Sequence, residues 1–270
     1  MRTLIINKIM DKIALFCKTF NRDFERFKIL YDSYVKYNVD NLKFVVSVPE
    51  TDYQLFSIFK DIILIKDDDL YVTKSLPGWM QQQSIKLNVY RSQIAENYLM
   101  LDSDEYFIKD FHINDFIYND YPYFVCHEQK ELFQLSEIVK DKLPYGDPKS
   151  VFDNDKNKIM NTFGRTGKKY DFGPPPMIWN SEVLKDFQNT FVKNDYEKLL
   201  MICPSEISWY GEWFLHTLPF NLMPSESFFK FYHYEFQYNL DKHLGVTEES
   251  LKSNFLGICM QSNWNAPLKF

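Results

Sequence analysis

Two carboxylates, one residue apart, follow a short apolar segment about 100 residues into this chain. Asp102 and Asp104 come directly after residues 98–101, an apolar run that is typical of a buried strand. Alternate side chains of an extended strand point the same way, so both carboxylates are expected to face one site. Such oxygen ligands suit Mg²⁺ or Mn²⁺ together with the phosphates of a substrate. The spacing therefore predicts a metal-dependent enzyme that handles a nucleotide diphosphate.

The segments before these carboxylates alternate between strand and helix patterns. Strands are predicted at residues 13–17, 42–48, 62–65 and 98–101, with helices at 24–37, 50–59 and 80–96. This alternation predicts an α/β fold with a mostly parallel, Rossmann-type sheet that helices cover on both faces. In such sheets, ligands bind beyond the carboxyl ends of the strands.

The second half of the chain has a less regular pattern and is expected to form an irregular acceptor side. Strands are predicted at 122–126, 177–179 and 228–238, and helices at 132–142, 182–187 and 204–218, with Ser181 as a helix cap. Residues 145–173 are polar and contain glycine, which predicts a mobile loop that closes over a donor. The run 173–179 is predicted to shape an acceptor pocket.

Composition limits the classes of partner. The net charge is −6 and 45% of the residues are hydrophobic, which fits a sizeable core and excludes a general nucleic-acid binder. An acidic protein that holds a pyrophosphate needs a local cation, and a metal at Asp102 or Asp104 would supply one.

The expected location is the reducing cytoplasm. No apolar stretch approaches the roughly 20 residues of a membrane span, and charged residues interrupt the N-terminal segment, which is a poor signal peptide. The cysteines are far apart and form no C-x-x-C pair: Cys17, Cys126, Cys203 and Cys259.

A polar segment directly after the first predicted strand is a candidate nucleotide pocket. It contains Thr19, Asn21, Arg22 and Asp23. We expect Arg22 near a phosphate and Asp23 hydrogen-bonded to the base. The alternative is a helix cap with an acidic first turn.

Two residues of the helix predicted at 80–96 are candidates for the same donor site. Gln83 and Lys86 are three positions apart, so they share a helix face. The alternative is an ordinary amphipathic helix.

Two glutamates are candidates for the base that takes the proton of an acceptor hydroxyl. Glu206 and Glu212 lie among aromatic residues, six positions apart, so they face different ways, and Glu206 is the first choice. The alternative for Glu206 is a helix-start carboxylate that favours the helix dipole. His233, in the aromatic tail, is a candidate third metal ligand, or else a structural histidine.

The order of these motifs resembles the bacterial GT-A-fold glycosyltransferases of surface-polysaccharide biosynthesis, which carry a D-x-D motif. The resemblance covers residues 13–215, in the order T-F-N-R-D, S-V-P-E, G-W-x-Q-Q-x-x-K-L, Y-L-x-L-D-S-D, G-P-P-P and S-E-x-x-x-Y-G. It implies one GT-A-like domain over 1–270, with a nucleotide-sugar half at 1–110 and an acceptor half at 111–270.

The resemblance also implies residue roles. Asp104 would bind the metal, Asp102 would contact the metal or the ribose, and Ser103 would contact the donor. Glu206 would match the acceptor-activating carboxylate of inverting members. The implied ligands are Mn²⁺ or Mg²⁺ and a nucleotide-sugar donor, with a UDP-sugar as the first choice.

The resulting hypothesis is a metal-dependent, hexosyltransferase-like enzyme that adds a sugar to a bacterial lipopolysaccharide or capsule glycan. The acceptor would be a glycan or a lipid-linked glycan, and peripheral contact with the inner membrane and the oligomeric state stay open. One alternative is a sugar nucleotidyltransferase, although residues 18–22 lack the glycine-rich loop that such enzymes carry. The other is a glycan-binding module without catalysis.

Overall fold

A computed structural model describes residues 10–71, 75–142 and 147–270 of the chain. The strands in these ranges are β1 Asp11–Lys18, β2 Phe44–Val48, β3 Ile62–Lys66, β4 Ala95–Leu101, β5 Glu105–Phe107, β6 Ile117–Tyr118, β7 Tyr121–Val125, β8 Met177–Asn180, β9 Met223–Ser225, β10 Phe229–Tyr232 and β11 Gly257–Met260. The α-helices are α1 Phe24–Tyr37, α2 Tyr53–Phe56, α3 Asp67–Leu70, α4 Gly78–Lys86, α5 Lys130–Val139, α6 Pro148–Thr162, α7 Ser181–Asp186, α8 Tyr196–Ile202, α9 Glu206–Thr217, α10 Glu235–His243 and α11 Glu248–Leu251.

The central sheet has the strand order β3-β2-β1-β4-β8, and its first four strands are parallel. Strand β8 pairs with β4 in the antiparallel direction. Strands β1, β2 and β4 are almost entirely buried, which explains their continuous apolar sequences. This mostly parallel sheet with helices around it confirms the predicted fold class.

A second sheet joins the residues after the two aspartates to the C-terminal part of the chain. It has the order β10-β11-β5, with β5 antiparallel to β11. The Met260 amide donates to the carbonyl oxygen of Asp104 over 2.9 Å and extends this pairing. The turn that carries the carboxylates is therefore held between β4 and β11. A third sheet, β6-β7-β9, lies in the second half.

Several predicted elements are wrong in extent. The helix predicted at 80–96 ends at Lys86, and β4 begins at Ala95, because Ala95 pairs with Asp11 of β1. The predicted loop at 145–173 contains α6, which Asp147 caps by accepting from two backbone amides; residues 143–146 lie outside the described residues. The predicted strand at 228–238 ends at Tyr232 and is followed by α10.

The helix cap predicted at Ser181 is also displaced by one residue. The side chain of Asn180 accepts from the amides of Glu182 and Val183, as an N-cap does. The Ser181 hydroxyl instead donates to the carbonyl oxygen of Ala95 over 2.8 Å and ties α7 to the central sheet.

Helix α9 is fixed against the sheet by close packing. Tyr210 stacks on Trp179 of β8 at 5.0 Å between ring centroids, and its hydroxyl accepts from the Asn180 amide over 2.8 Å. One residue further on, Gly211 lies against the ring of Phe172, where a Cβ atom would come within 2.0 Å of the Cγ atom. The first turn of α9, which carries Glu206, is positioned by these contacts.

None of the helices in the described ranges has the length and apolar character that crossing a bilayer requires.

We expect Gly211→Ala to lower the free energy of unfolding by about 1–3 kcal/mol, because the added methyl group overpacks the contact with Phe172. In an exposed helix the same change would stabilise by roughly 1 kcal/mol, so the sign is informative. Urea unfolding of the parent and the variant measures the size and the sign of the change in the free energy of unfolding. Gly78→Ala is the control, because the space that its added methyl group would occupy is open to a distance of 4 Å. A variant Gly211→Ala that is as stable as the parent would contradict the packing.

Candidate functional site

A cavity of about 1100 Å³ opens beside the carboxyl end of β4. Its lining contains six of the residues predicted from sequence, namely Gln83, Lys86, Asp102, Asp104, Glu206 and His233. Gly173, Pro174 and Pro175 also line it, where an acceptor pocket was expected. The fold thus brings together side chains from α4, β4, α9 and the C-terminal region.

A buried ammonium group connects three of these elements. Lys86 Nζ donates to Asp102 Oδ1 over 2.6 Å and to Glu206 Oε1 over 3.2 Å. Burial opposes the charge of Lys86, but the two carboxylates outweigh it and raise its pKa above the ordinary value. Lys86 therefore stays charged and holds both carboxylates in fixed positions.

The second aspartate is bonded to the C-terminal segment. Asp104 Oδ2 accepts from the Ser262 amide over 2.8 Å, and Oδ1 lies 3.7 Å from Cys259 Sγ. Burial, and next the charge of Asp102, raise the pKa of Asp104 to about 6, against the lowering effect of the Ser262 amide. Negative charge is thus concentrated at this turn, where a cation would relieve it.

The donor atoms at this turn fit a cation that is shared with a substrate. Asp102 and Asp104 offer carboxylate oxygens to one cavity, and Mg²⁺ and Mn²⁺ take such ligands with phosphates and water. Within the described ranges, no group of three His, Cys, Asp or Glu side chains is arranged to hold a metal ion. Asp102 and Asp104 are thus the two carboxylates that would hold such a cation.

His233 lines the same cavity as the two aspartates. Burial lowers its pKa to about 4, although the charge of Asp171 and a hydrogen bond to Gln261 act in the opposite direction. The imidazole is therefore neutral at pH 7, which is the form that binds metals. Its role as a metal ligand stays a prediction.

Gln83 also faces the cavity, three residues before Lys86 on α4. The residue is 5% exposed, and its Oε1 atom has no hydrogen-bond partner among the described residues. A buried amide oxygen without a partner is costly, and because this atom has almost no exposed surface, a substrate hydroxyl would reach it only after the side chain rotates.

The segment predicted as a nucleotide pocket lies outside the lining of this cavity. Asn21 is bonded to the buried Asp52, with 2.7 Å from its amide to Oδ2, while Arg22 is exposed. Thr19 is buried at the end of β1, and its hydroxyl has no partner among the described residues. Within this segment, Asp23 lies close to the turn of the two aspartates, because it contacts Ser103.

Asp23 and Ser103 are in contact, since the Ser103 side chain is hydrogen-bonded to the Asp23 carboxylate. Burial raises the pKa of Asp23, and this hydrogen bond partly offsets the rise. The contact joins the segment after β1 to the turn between Asp102 and Asp104. A nucleotide at this end would lie beside the carboxylates, although its base pocket stays a prediction.

The two candidate bases have different surroundings. Glu206 is 7% exposed, lines the cavity and begins α9, where Ser205 caps the helix. Glu212 is fully buried outside the cavity lining, and its Oε1 accepts from Arg165 Nη2 over 2.6 Å. A general base must reach the substrate, so this geometry retains Glu206 and gives Glu212 a structural ion pair instead.

Asp171, which lines the cavity, was not predicted from the sequence. The Asp171 carboxylate accepts from Gln129 Nε2 over 2.7 Å and from the Gly173 amide over 3.1 Å. His127 Nε2 lies 2.6 Å from the Gly173 carbonyl oxygen. The only local signal was the nearby G-P-P-P run, because Gln129 is 42 residues from Asp171 and their contact is tertiary.

Lys156 was missed because its segment was predicted to be a loop. It lies on α6, is 3% exposed, and donates to Ser208 Oγ over 2.7 Å, which supports the first turn of α9. Burial lowers its pKa.

Comparisons with known proteins bear on the family and the fold. A family model described as "Family of unknown function (DUF6492)" matches residues 9–257. None of the curated proteins matches the sequence. The apo structure of the bifunctional glycosyltransferase WbbM is similar, with a TM-score of 0.51 and 9% identity over 95% of this chain and 47% of that one. The chain thus spans about half of that structure, and the likeness concerns the fold.

We expect Asp104→Asn to remove a pH dependence of stability in EDTA-treated protein. The folded-state pKa of about 6 exceeds the ordinary value of 3.8, so the native state binds this proton more tightly than the unfolded chain. The resulting stabilisation is present below the ordinary pKa and is lost as pH rises through about 6. Urea unfolding between about pH 4 and 7 measures it.

The free energy of unfolding of the parent, minus that of Asp104→Asn, should therefore fall with rising pH. Asp110→Asn, at an exposed position, is the control and should follow the parent. A difference that stays constant over this range would show that Asp104 titrates normally.

Proposed function

We propose that this chain, which belongs to the DUF6492 family, is a glycosyltransferase that moves a sugar from a nucleotide diphosphate donor to a hydroxyl group of a glycan. The observation that supports it most is the network in which Lys86 joins Asp102, at the end of a parallel strand, to Glu206 in a single cavity. A fold similar to that of a glycosyltransferase supports the same reaction class.

Asp102 and Asp104 are the proposed holders of Mn²⁺ or Mg²⁺, together with the donor phosphates. When bound, the cation supplies positive charge that stabilises the departing nucleoside diphosphate. Gln83, which lines the cavity, is a proposed contact of the donor sugar. Thr19, Asn21, Arg22 and Asp23 would surround the nucleoside on the far side of the Ser103 contact.

Glu206 is the proposed base. The acceptor oxygen forms a bond to the anomeric carbon of the sugar, while the bond from that carbon to the diphosphate oxygen breaks. The proton of the acceptor hydroxyl passes to the Glu206 carboxylate. Lys86, 3.2 Å from Oε1, holds this carboxylate in place, and the first turn of α9 favours its negative charge.

We also propose the donor, the acceptor and the location of the enzyme. The donor is a UDP-sugar and the acceptor is a surface glycan or a lipid-linked glycan, made in the bacterial cytoplasm. All four cysteines are free, which supports a reducing compartment. Release of pyrophosphate from a nucleoside triphosphate would point instead to a sugar nucleotidyltransferase.

We expect UDP-sugars to raise the melting temperature of the protein only when Mn²⁺ is present, because a ligand that binds the native state stabilises it. Asp104→Ala should lose this shift and sugar transfer while keeping the parent's circular dichroism spectrum. Asp110→Ala, eight residues from Asp102 and exposed, is the control. A full Mn²⁺-dependent shift and full transfer in Asp104→Ala would remove the metal role.

Glu206→Gln should lower turnover by roughly 10²–10⁴-fold, which is the usual contribution of a general base. The shift in melting temperature with donor and Mn²⁺ should persist, because the donor contacts are unchanged. Glu182→Gln, on the exposed face of α7, should keep the parent turnover. If Glu206→Gln turns over at the parent rate, the base is another group, and Asp171 is the next to test.

A further inference from the structure

A second depression of about 520 Å³ lies next to the main cavity. The two share four lining residues, namely Glu128, Lys130, Phe133 and Phe152. The depression extends from there along α6 to Lys149 and the segment Gly167–Lys169. A chain-like substrate that leaves the cavity on this side would therefore enter the depression.

The depression is positively charged. Its described lining contains four lysines, at 130, 149, 168 and 169, and two carboxylates, Glu128 and Asp153, which gives a surplus of two positive charges. Glu131 and Glu226 line the main cavity and not this depression. Such a surplus is unexpected on a chain whose net charge is −6.

Each carboxylate in the depression is shared by two lysines. Lys168 lies 2.7 Å from Glu128 and Lys130 lies 3.5 Å from it. Asp153 pairs with Lys149, and with Lys169 at 3.0 Å. All four ammonium groups are thus ion-paired, but two carboxylates balance only two of the four positive charges, which leaves a surplus that a further anion would offset.

Exposure favours recognition by the lysines. The side chains of Lys149 and Lys168 are 54% and 63% exposed, whereas those of Glu128 and Asp153 are both 31% exposed. Lys130 is 77% exposed, whereas Lys169, at 27%, is no more exposed than the carboxylates, so three of the four ammonium groups form the rim. An approaching ligand meets positive charge first, which attracts anions and repels cations.

Two aromatic rings line the depression. The rings of Phe133 and Phe152 are in contact, with 5.1 Å between centroids, and both line the depression and the cavity. Apolar ring faces of this kind pack against the carbon faces of sugar rings. The depression is open rather than enclosed, so a sugar unit would lie against these rings with much of its surface exposed.

From these observations we infer that the depression binds an anionic glycan, a sugar chain with a carboxylate or phosphate substituent, as the extension of the acceptor. This rests on the proposed function, because the cavity supplies the reacting end of the chain. The lysine rim contacts the anionic substituent, and the two phenylalanine rings contact the sugar next to it.

The test measures binding directly, by isothermal titration calorimetry of the whole protein. The probes are an oligogalacturonate, a phosphorylated malto-oligosaccharide and a neutral malto-oligosaccharide of equal length. The double variant Lys149→Gln, Lys168→Gln reduces the surplus from two charges to none. Asp153 keeps Lys169 and Glu128 keeps Lys130 as partners, so the fold is expected to persist.

We expect the parent to bind at least one anionic probe more tightly than the neutral one, and the double variant to bind it roughly tenfold more weakly. High salt should remove the preference. Lys185→Gln with Lys252→Gln is the control, because it removes the same charge from two other surface ion pairs. Preference for the uronate or for the phosphorylated probe identifies the anionic group.

Equal binding of neutral and anionic probes by the parent would overturn the inference, as would no binding of any probe. Unchanged affinity in the double variant would overturn it too. Donor binding, measured as the Mn²⁺-dependent thermal shift, is read separately in the same proteins. If the parent shows no such shift, the proposed function is wrong, whereas the binding results for the depression can still be interpreted.

Discussion

The site depends on one buried ammonium group between two carboxylates. Lys86 is 4% exposed and bonds to Asp102 and Glu206, which lie 16 and 120 residues away in the chain. Removing one member of a buried ion pair leaves an uncompensated charge, at a cost of about 3–5 kcal/mol. The group therefore requires α4, the end of β4 and the first turn of α9 to meet, and it sets the geometry of the cavity.

The charge of this group explains the rest of the site. Lys86 offsets one of its two carboxylate partners, and Asp104 adds a further negative charge at the same turn. Burial, and next the charge of Asp102, raise the pKa of the neighbouring Glu105 well above its usual range. The turn thus carries more negative charge than it can pair internally, which favours a divalent cation.

Sequence patterns predicted the parts of this arrangement that depend on local order. Strand β1 and the two aspartates after β4 follow from continuous apolar runs that end in polar residues. Helix α6 did not follow, because its described sequence is polar on most faces and only the cap at Asp147 indicates where it begins. Glu212 was chosen for its aromatic neighbours, although its ion-pair partner, Arg165, is 47 residues away.

By itself, the sequence determined the parallel sheet, the position of Asp102 and Asp104 after the carboxyl end of one of its strands, and the helix that begins at Glu206. Apolar periodicity and capping residues act over a few positions, so they can be recognised without a structure. Tertiary structure alone decided that Lys86 bonds to Glu206 and that Glu212 pairs with Arg165 outside the cavity lining. Contacts between residues so distant in sequence depend on how helices pack against the sheet, and no local pattern encodes that packing.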